Sequence, residues 1–248
     1  TAAALPGTTF VLHAGDYPAT TFGQSGTEGN YVVYEAADDA EVNIDGITVS
    51  ADYVWLEGLT VRDQSSGLRT SGSPSNVVLR YSTFIDNHYS IDLRGGASAW
   101  YIADNTIIGD TPYDTASLGG EGIELARTSH HTIAHNSITR TADGISYPGT
   151  NVDIFGNDIF DTSDDGIEAD NGRANVRMYR NRLTNTRHNG ITFQDQEGAP
   201  WYIIGNQVAN WDQGGFKFRI TDQFVLVNHT FVTWKQVVDP WSQTIVNA

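Results

Sequence analysis

A short Gly-Ile element recurs along this chain at a nearly constant interval. Its glycines, with a final Gly-Phe variant, are Gly122, Gly144, Gly166, Gly190 and Gly215. A second marker keeps the same step, an asparagine just before a short apolar segment: Asn105, Asn136, Asn157, Asn181 and Asn206. A period of 22 to 25 residues with several strand-like segments is typical of a solenoid, in which each repeat forms one coil. Residues of one sequence column then lie about 4.8 Å apart on neighbouring coils.

The segments between these markers predict three short strands in every coil. One coil, for example, runs from Ile167-Glu168-Ala169-Asp170 through Val176-Arg177-Met178-Tyr179 to the segment around Leu183. Apolar and polar residues alternate in these segments, which places one set inside and the other outside. No segment repeats apolar residues at i, i+3 and i+4, so little helix is expected. The sequence therefore predicts an all-β fold, a single-domain right-handed parallel β-helix over residues 1–248 with about nine coils.

The two markers have structural explanations. Asparagine tolerates the left-handed backbone of a tight corner, and stacked amides can bond from coil to coil. The glycines are expected to mark sharp corners. The longest departure from the repeat is 109–120, which lengthens one coil to about 31 residues and is expected to project as a binding wall.

Composition narrows the classes of partner. The formal charge of −16 argues against nucleic acid and against an anionic membrane surface. No apolar run approaches the roughly 18 residues of a membrane span. The chain has no cysteine, which excludes disulfides and thiolate metal sites. Strands are expected almost at both ends, at Thr8–Phe10 and Thr244–Val246, and such uncapped edges favour flanking sequence or end-to-end self-association.

Several stretches of the chain are similar to a known superfamily. They are Pro6-Gly7-Thr8-Thr9-Phe10-Val11-Leu12, Ala14-Gly15-Asp16-Tyr17, Ser25-Gly26-Thr27 and Tyr53-Val54-Trp55-Leu56-Glu57-Gly58-Leu59-Thr60-Val61. In these the chain resembles pectin-lyase-like parallel β-helix proteins, and its opening resembles secreted polysaccharide lyases of the chondroitinase B and alginate lyase type. The resemblance implies a secreted protein that acts on a polysaccharide. It also implies a catalytic Lys and Arg in Lys-Ser and Arg-His-Gly settings, whereas this chain has Lys217-Phe218-Arg219.

Aligning the coils on the glycine element gathers acids on one face. The outward position after the first apolar residue is occupied in successive coils by Arg69, Asp92, Glu124, Ser146, Glu168, Thr192 and Lys217. With the neighbouring columns, the face collects seven carboxylates: Asp92, Glu121, Glu124, Asp143, Asp165, Glu168 and Asp170. Stacked like charges destabilise a sheet, so their gathering on one face favours a functional role over simple solvation.

Paired carboxylates suit glycoside hydrolysis. Inverting glycosidases hold their two carboxyl groups about 6.5–9.5 Å apart, and retaining ones about 5–5.5 Å. Asp165, Glu168 and Asp170 are the predicted acid and base residues, assisted by Asp143, because neighbouring like charges raise at least one pKa. The residues expected to hold the substrate are Glu124, Gln194, Lys217, Arg219, Arg94 and His188. The favoured interpretation is a secreted glycosidase that cleaves a polysaccharide in a groove on this face and needs no cofactor.

Two alternatives stay open. The same carboxylates could bind Ca²⁺, which takes six to eight oxygen ligands. The ion would neutralise a uronate and acidify its C5 proton, with Lys217 or Arg219 as base or electrostatic partner, in a lyase or C5-epimerase. The other alternative is a non-catalytic binding or structural shaft, such as an adhesin or fibre segment.

The aromatic residues and remaining histidines are assigned mostly to structure. Tyr147, Phe193 and Phe218 occupy an inward column and are predicted to be core. His130, His131, His135 and His229 are predicted to be structural or solvated. Candidates for stacking on sugar rings are Trp201, Trp211, Trp234, Trp241 and Tyr113.

Overall fold

The computed structural model describes residues 5–210, 214–219, 221–239 and 245–246. These residues form three sheets of ten parallel strands, and every coil contributes one strand to each sheet. The prediction of a parallel β-helix with three strands per coil is confirmed, with ten coils where about nine were expected. The described residues contain no helix, and therefore none long and apolar enough to cross a membrane.

The sheets are numbered by the order in which the chain enters them. The first sheet consists of Thr9–Leu12, Val32–Ala36, Val54–Glu57, Val78–Arg80, Tyr101–Ala103, Thr132–Ala134, Val152–Phe155, Val176–Tyr179, Trp201–Ile204 and Phe224–Val227. The second sheet consists of Gly15–Tyr17, Val42–Ile44, Leu59–Arg62, Thr83–Asn87, Thr106–Gly109, Ser137–Thr139, Asp158–Phe160, Arg182–Thr184, Gln207–Asn210 and Thr230–Thr233. The third sheet consists of Thr20–Phe22, Ile47–Val49, Ser66–Thr70, Tyr89–Asp92, Ile123–Glu124, Ile145–Ser146, Ile167–Glu168, Ile191–Gln194, Phe216–Arg219 and Val238–Asp239. Thr221–Asp222 and Ile245–Val246 form a separate parallel pair.

The core lies along the axis and is filled by the inward residues of all three sheets. In the third sheet, Ile91 and the isoleucines of the Gly-Ile element stack in register and have no exposed surface: Ile91, Ile123, Ile145, Ile167 and Ile191. Each buried side chain of this size contributes about 1.5–3 kcal/mol of hydrophobic stabilisation. This column fixes the register, and a shift by one residue would turn every outward side chain of the third sheet into the core.

The predicted asparagine ladder is present at the corner between the first and second sheets. Each amide Nδ2 donates to the Oδ1 of the asparagine on the next coil over 2.9–3.0 Å, from Asn105 through Asn136, Asn157 and Asn181 to Asn206. The expected left-handed backbone falls one residue earlier, for example at Asp104 and Arg180. The asparagine itself is therefore required for its buried amide, which satisfies backbone groups that the corner leaves unpaired.

The repeated glycines serve close packing between coils, which corrects the expectation of sharp corners. Gly122, Gly144, Gly166 and Gly190 have no left-handed φ. A Cβ on Gly144 would lie 2.5 Å from the carbonyl oxygen of Gly166 and also 2.5 Å from the Ile159 side chain. Any larger residue would push neighbouring coils apart at the entrance to the third sheet.

The long coil turns back against the body of the helix. The Ser163 hydroxyl donates to the Ser117 carbonyl at 2.9 Å, and the Arg187 guanidinium donates to the Thr115 carbonyl. Segment 109–120 therefore lies along the corner between the second and third sheets, immediately before Asp164 and His188. The segment borders the acidic face of the third sheet, but it packs against the body of the β-helix instead of projecting from it, and its role as a binding wall stays a prediction.

Candidate active site

The outward column of the third sheet has the predicted composition. Backbone pairing aligns Arg69 with Asp92, Asp92 with Glu124, and so on through Ser146, Glu168, Thr192 and Lys217. Strand spacing then puts Glu168 and Lys217, two coils apart, about 10 Å from each other along the axis. The prediction that stacking brings these residues to one face is confirmed.

The acids before the Gly-Ile element form a buried ladder instead of lining an open groove. Asp143 Oδ1 accepts the Asp165 backbone N–H at 2.9 Å, and Asp165 Oδ1 accepts the Asn189 N–H at 2.8 Å. Glu121 Oε2 accepts the Asp143 N–H at 3.3 Å. These hydrogen bonds draw the carboxylates along the axis into the corner, where Asp143 is 2% exposed and Asp165 3%. Asp143 and Asp165 are therefore not accessible to a polymer, although the sequence predicted them as catalytic residues in a groove.

Burial and mutual repulsion act on the whole ladder. Burial, followed by the charge of Asp164, raises the pKa of Asp165 to about 7. Burial and the Glu124 charge raise the pKa of Glu121 to about 7. The pKa of Asp143 is raised by burial, and next by the charge of Glu168. Three acids in one corner thus favour their protonated forms in the absence of a compensating cation.

Glu168 is the partly exposed carboxylate at the centre of the face. Burial, and then the Asp170 charge, raise the pKa of Glu168 to about 8, although a hydrogen bond with Tyr147 opposes the shift. Tyr147 was predicted to be core, and this is wrong. Its backbone has a φ of 52°, in the left-handed region, and the side chain reaches the Glu168 carboxylate. The deviation from alternation arises at that turn, which periodicity alone does not show.

Asp170 follows Glu168 on the same coil and is firmly held. Its Oδ1 accepts the Gln194 backbone N–H at 2.7 Å, and its Oδ2 accepts the Gln194 side-chain amide at 2.9 Å. Burial raises the pKa of Asp170 to about 6, while these hydrogen bonds and the charge of Lys217 oppose the shift. Gln194, predicted to bind substrate, is thus engaged in positioning an acid.

Lys217 brings a positive charge to the acid cluster. Its charge lowers the pKa of both Asp165 and Asp170 against the effect of burial. Arg219, two residues further along the strand, lies 3.6 Å from Asp195 through its Nε. Lys217 is therefore within electrostatic reach of the acidic centre of the face, whereas Arg219 is paired with Asp195.

His188 belongs to the acidic corner. Its Nδ1 bonds the Asp164 carboxylate, and this hydrogen bond raises the pKa of His188. One ligand atom each from Asp164, Asp165 and His188 lie within 4.8 Å of one another. Asp164 was not among the predicted site residues, although its place directly before Asp165 is visible in the sequence.

At the end of the face near Asp92, an arginine and backbone N–H groups compensate the negative charges of the acids. Arg94 donates to both oxygens of Asp92, at 2.9 and 2.7 Å, and its guanidinium lies 4.0 Å above the Tyr89 ring centre. Burial raises the pKa of Asp92, but the Arg94 hydrogen bonds outweigh it and leave the pKa below its ordinary value. Glu124 is 5% exposed and accepts the Ala126 backbone N–H at 2.8 Å. Uncompensated acids are therefore concentrated near Glu168.

The predictions for the aromatic residues are confirmed for some residues and wrong for others. Phe193 and Phe218 are core, as predicted, and so is Trp201, which was expected to stack on sugars and has no exposed surface. Trp234 is 72% exposed but follows the last strand of the second sheet, away from the acidic face. Tyr113 is partly buried in segment 109–120. Trp211 and Trp241 lie outside the described residues.

Comparisons with known proteins agree with this architecture. A family model described as "Right handed beta helix region" matches residues 66–231, and the chain belongs to this family. The fold is thus a right-handed parallel β-helix. Among solved structures, the chain is similar to the pectate lyase Pel9A, with a TM-score of 0.69 and 16% identity over 98% of this chain and 74% of the lyase. It is also similar to an alginate lyase from Paenibacillus sp. str. FPU-7, with a TM-score of 0.56 and 15% identity over 98% and 93% of the two chains. A comparison with curated proteins finds no match.

Proposed function

We propose that this protein is a secreted enzyme that cleaves uronate-containing polysaccharides by β-elimination, with a calcium ion held by the acidic corner. The observation that carries the proposal is the position of Lys217 in the outward column of Glu168, beside acids whose burial keeps their pKa values high. A neutral polymer gives no reason for such an arrangement. A uronate polymer does, because its own carboxylate requires a cation between itself and the protein.

The residues present suit calcium. Carboxylate oxygens are its preferred ligands, and Asp143, Asp164, Asp165 and Glu168 would supply them. Asp164 and Asp165 already place oxygens within 4.8 Å of each other. Mutual repulsion among these acids is the penalty that a bound cation removes. When bound, calcium would neutralise the uronate carboxylate and make the C5 proton more acidic.

The side chains of the face then have separate roles. Lys217 would be the base, and its unprotonated amine would accept the C5 proton; the electrons left behind form the C4–C5 double bond, and the C4–O4 bond breaks. The departing oxygen takes a proton from water. Arg219 and Arg94, at the two ends of the face, would contact substrate carboxylates. Gln194 holds Asp170, and Tyr147 holds Glu168, so the acids keep their orientation.

Hydrolysis is the second candidate, because one observation favours it. Glu168 and Asp170 lie two residues apart on one coil, and their pKa values are raised to about 8 and about 6. Such a pair could act as general acid and general base of an inverting glycosidase. The burial of Asp143 and Asp165 weakens this candidate, since two of its four predicted catalytic acids have no access to a glycosidic bond.

One assay separates the candidates. Polygalacturonate, alginate and neutral polysaccharides are incubated with the protein, with Ca²⁺ or with EDTA. We expect new chain ends that absorb in the ultraviolet, from the unsaturated uronate, on an acidic polymer and only with Ca²⁺. New reducing ends without this absorbance would indicate hydrolysis. A changed C5 configuration in the NMR spectrum, without cleavage, would indicate an epimerase. No change on any polymer would favour a binding shaft and overturn the proposal.

A further inference from the structure

Two arginines share one glutamate at the corner between the third and first sheets, on the side of the face opposite segment 109–120. Arg127 Nη1 lies 3.4 Å from Glu197 Oε1, and Arg173 Nε lies 3.9 Å from Glu197 Oε2. The three side chains are 47%, 52% and 43% exposed. None of them belongs to the predicted site.

Their position along the axis is set by the coils. Arg127, Arg173 and Glu197 each follow a strand of the third sheet, those at Ile123–Glu124, Ile167–Glu168 and Ile191–Gln194. Arg127 is thus three coils, about 14 Å, before its partner. To make this contact its side chain must extend along the axis, past the coil of Tyr147. Both guanidinium groups therefore border the part of the face where Glu168 lies.

The contacts within this trio are weak. Long, half-exposed ion pairs contribute little, commonly under about 1 kcal/mol. A guanidinium prefers a two-pronged contact with a carboxylate, as Arg94 makes with Asp92. Here two guanidinium groups divide a single carboxylate. The trio carries a net positive charge in a chain whose formal charge is −16, and neither guanidinium makes a two-pronged contact with Glu197.

We propose that Arg127 and Arg173 form a carboxylate-binding subsite for the uronate units that flank the reaction centre, and that Glu197 occupies this subsite when no substrate is bound. The inference rests on the proposed function, since it assigns the edge that recognises the acidic polymer. A substrate carboxylate would displace Glu197 and take the two-pronged contacts that the glutamate does not make. Glu197 thus acts as an internal competitor and sets the preference for highly charged chains.

The experiment uses the full-length protein and the acidic polymer that it cleaves, polygalacturonate or alginate. KM, kcat and the equilibrium Kd for the polymer are measured for Arg127→Gln, Arg173→Gln, their double variant and Glu197→Gln. We expect each arginine variant to raise KM and Kd about five-fold with kcat nearly unchanged, which corresponds to the upper range for an exposed ion pair. Glu197→Gln should lower both constants, because the competitor is removed. The matched control is Arg62→Gln, which loosens a comparably exposed pair with Glu41 on the second sheet.

KM is expected to rise in the arginine variants and to fall in Glu197→Gln, and these opposite shifts distinguish substrate recognition from simple stabilisation of the fold. If the trio only stabilised the corner, the arginine and glutamate variants would shift KM in the same direction or leave it unchanged, and either result overturns the inference. Thermal unfolding of each variant shows whether the fold is retained. A carboxyl-reduced polymer should be insensitive to all three substitutions. If the wild-type protein cleaves the polymer but the variants match Arg62→Gln, the subsite alone is rejected. If the wild-type protein neither binds nor cleaves an acidic polymer, the proposed function is rejected together with it.

Discussion

The outer faces of the three sheets follow one register rule but distribute charge in different ways. On the first and second sheets, three acids are paired with arginines of neighbouring coils, although Glu35 and Glu57 of the first sheet also stand in register with each other. The arginine–acid pairs are Arg80–Asp104, Arg177–Asp153 and Arg182–Asp158. On the third sheet, the register neighbours of Glu168 are Ser146 and Thr192, and the charges that act on it most strongly come from other acids.

This difference in charge distribution indicates how a functional surface can be recognised on a repetitive fold. Opposite charges in register stabilise neighbouring strands, and like charges destabilise them. A face that gathers acids therefore gives up stability, and perturbed pKa values of this kind cluster at functional sites. The three arginine–acid pairs of the first two sheets are explained by folding alone, whereas the acids around Glu168 are the ones for which we propose a ligand.

The largest effect is expected at the one lysine of the acidic face. Lys217→Ala should lower kcat on the cleaved polymer by about 10²–10⁴-fold, the contribution of a positioned general base. Steady-state kinetics measures this loss. The chain has a single other lysine, Lys235, which is exposed beyond the second sheet. Lys235→Ala should retain wild-type rates, and equal losses in both variants would contradict the assignment of Lys217.

The second effect concerns stability as a function of pH. The pKa values of Glu168, Asp165 and Glu121 are raised in the folded protein to about 8, about 7 and about 7. The folded state therefore binds more protons than the unfolded state between the ordinary carboxyl pKa and these values. The contribution of these three carboxyls to the free energy of unfolding is fully present below about pH 4. It falls as pH rises to about 8, by about 1.4 kcal/mol per pH unit for each proton that the folded state binds in excess of the unfolded state. Chemical denaturation in EDTA across this range measures it.

Calcium should reverse this loss. Binding to the folded state alone adds about 2.7 kcal/mol at a hundred-fold excess over Kd, and the gain should be largest near pH 8, where the acids are ionised. Magnesium, which demands a stricter octahedral geometry, serves as the comparison ion. A stability that rises with pH in EDTA, or that ignores calcium at pH 8, would contradict a cation site at this corner.

The fold was predictable because its signals are periodic. Core isoleucines, ladder asparagines and the outward column of Glu168 all repeat with the coil, so a correct period places each of them. Features that depend on one turn were not predictable in this way. Tyr147 leaves the core at a left-handed residue, and Asp143 and Asp165 turn into the corner because backbone amides of the next coil bind their oxygens.

Contacts across several coils were also beyond the sequence argument. Arg127 meets Glu197 over 70 residues, and Arg187 meets Thr115 over 72. Both depend on the conformations of corner loops, which vary in length and do not repeat. The scaffold of the site was therefore accessible from the pattern, while its two edges required the three-dimensional structure.

A smaller effect is expected when the acidic column is neutralised. Glu168→Gln removes a carboxylate that burial and neighbouring acids disfavour, and the amide oxygen can still accept from Tyr147. The free energy of unfolding in EDTA at pH 8 should rise by at least about 1 kcal/mol, since one pKa unit corresponds to about 1.4 kcal/mol. Denaturant titration measures the change. Activity should fall in the same variant, and a loss of stability together with activity would place Glu168 among structural residues.

The smallest effect is expected on the first sheet, where neutralising an acid should lower the free energy of unfolding instead of raising it. Asp153→Asn removes the acid that receives the Arg177 guanidinium, and unfolding free energy should fall by up to about 1 kcal/mol, the range of exposed ion pairs. The double variant Asp153→Asn, Arg177→Gln should recover part of this loss, because the coupling between contacting residues disappears with both partners. Activity should stay unchanged in both. A gain in stability from Asp153→Asn would mean that the two faces obey the same electrostatics, and the distinction on which the acidic column was assigned a ligand would be lost.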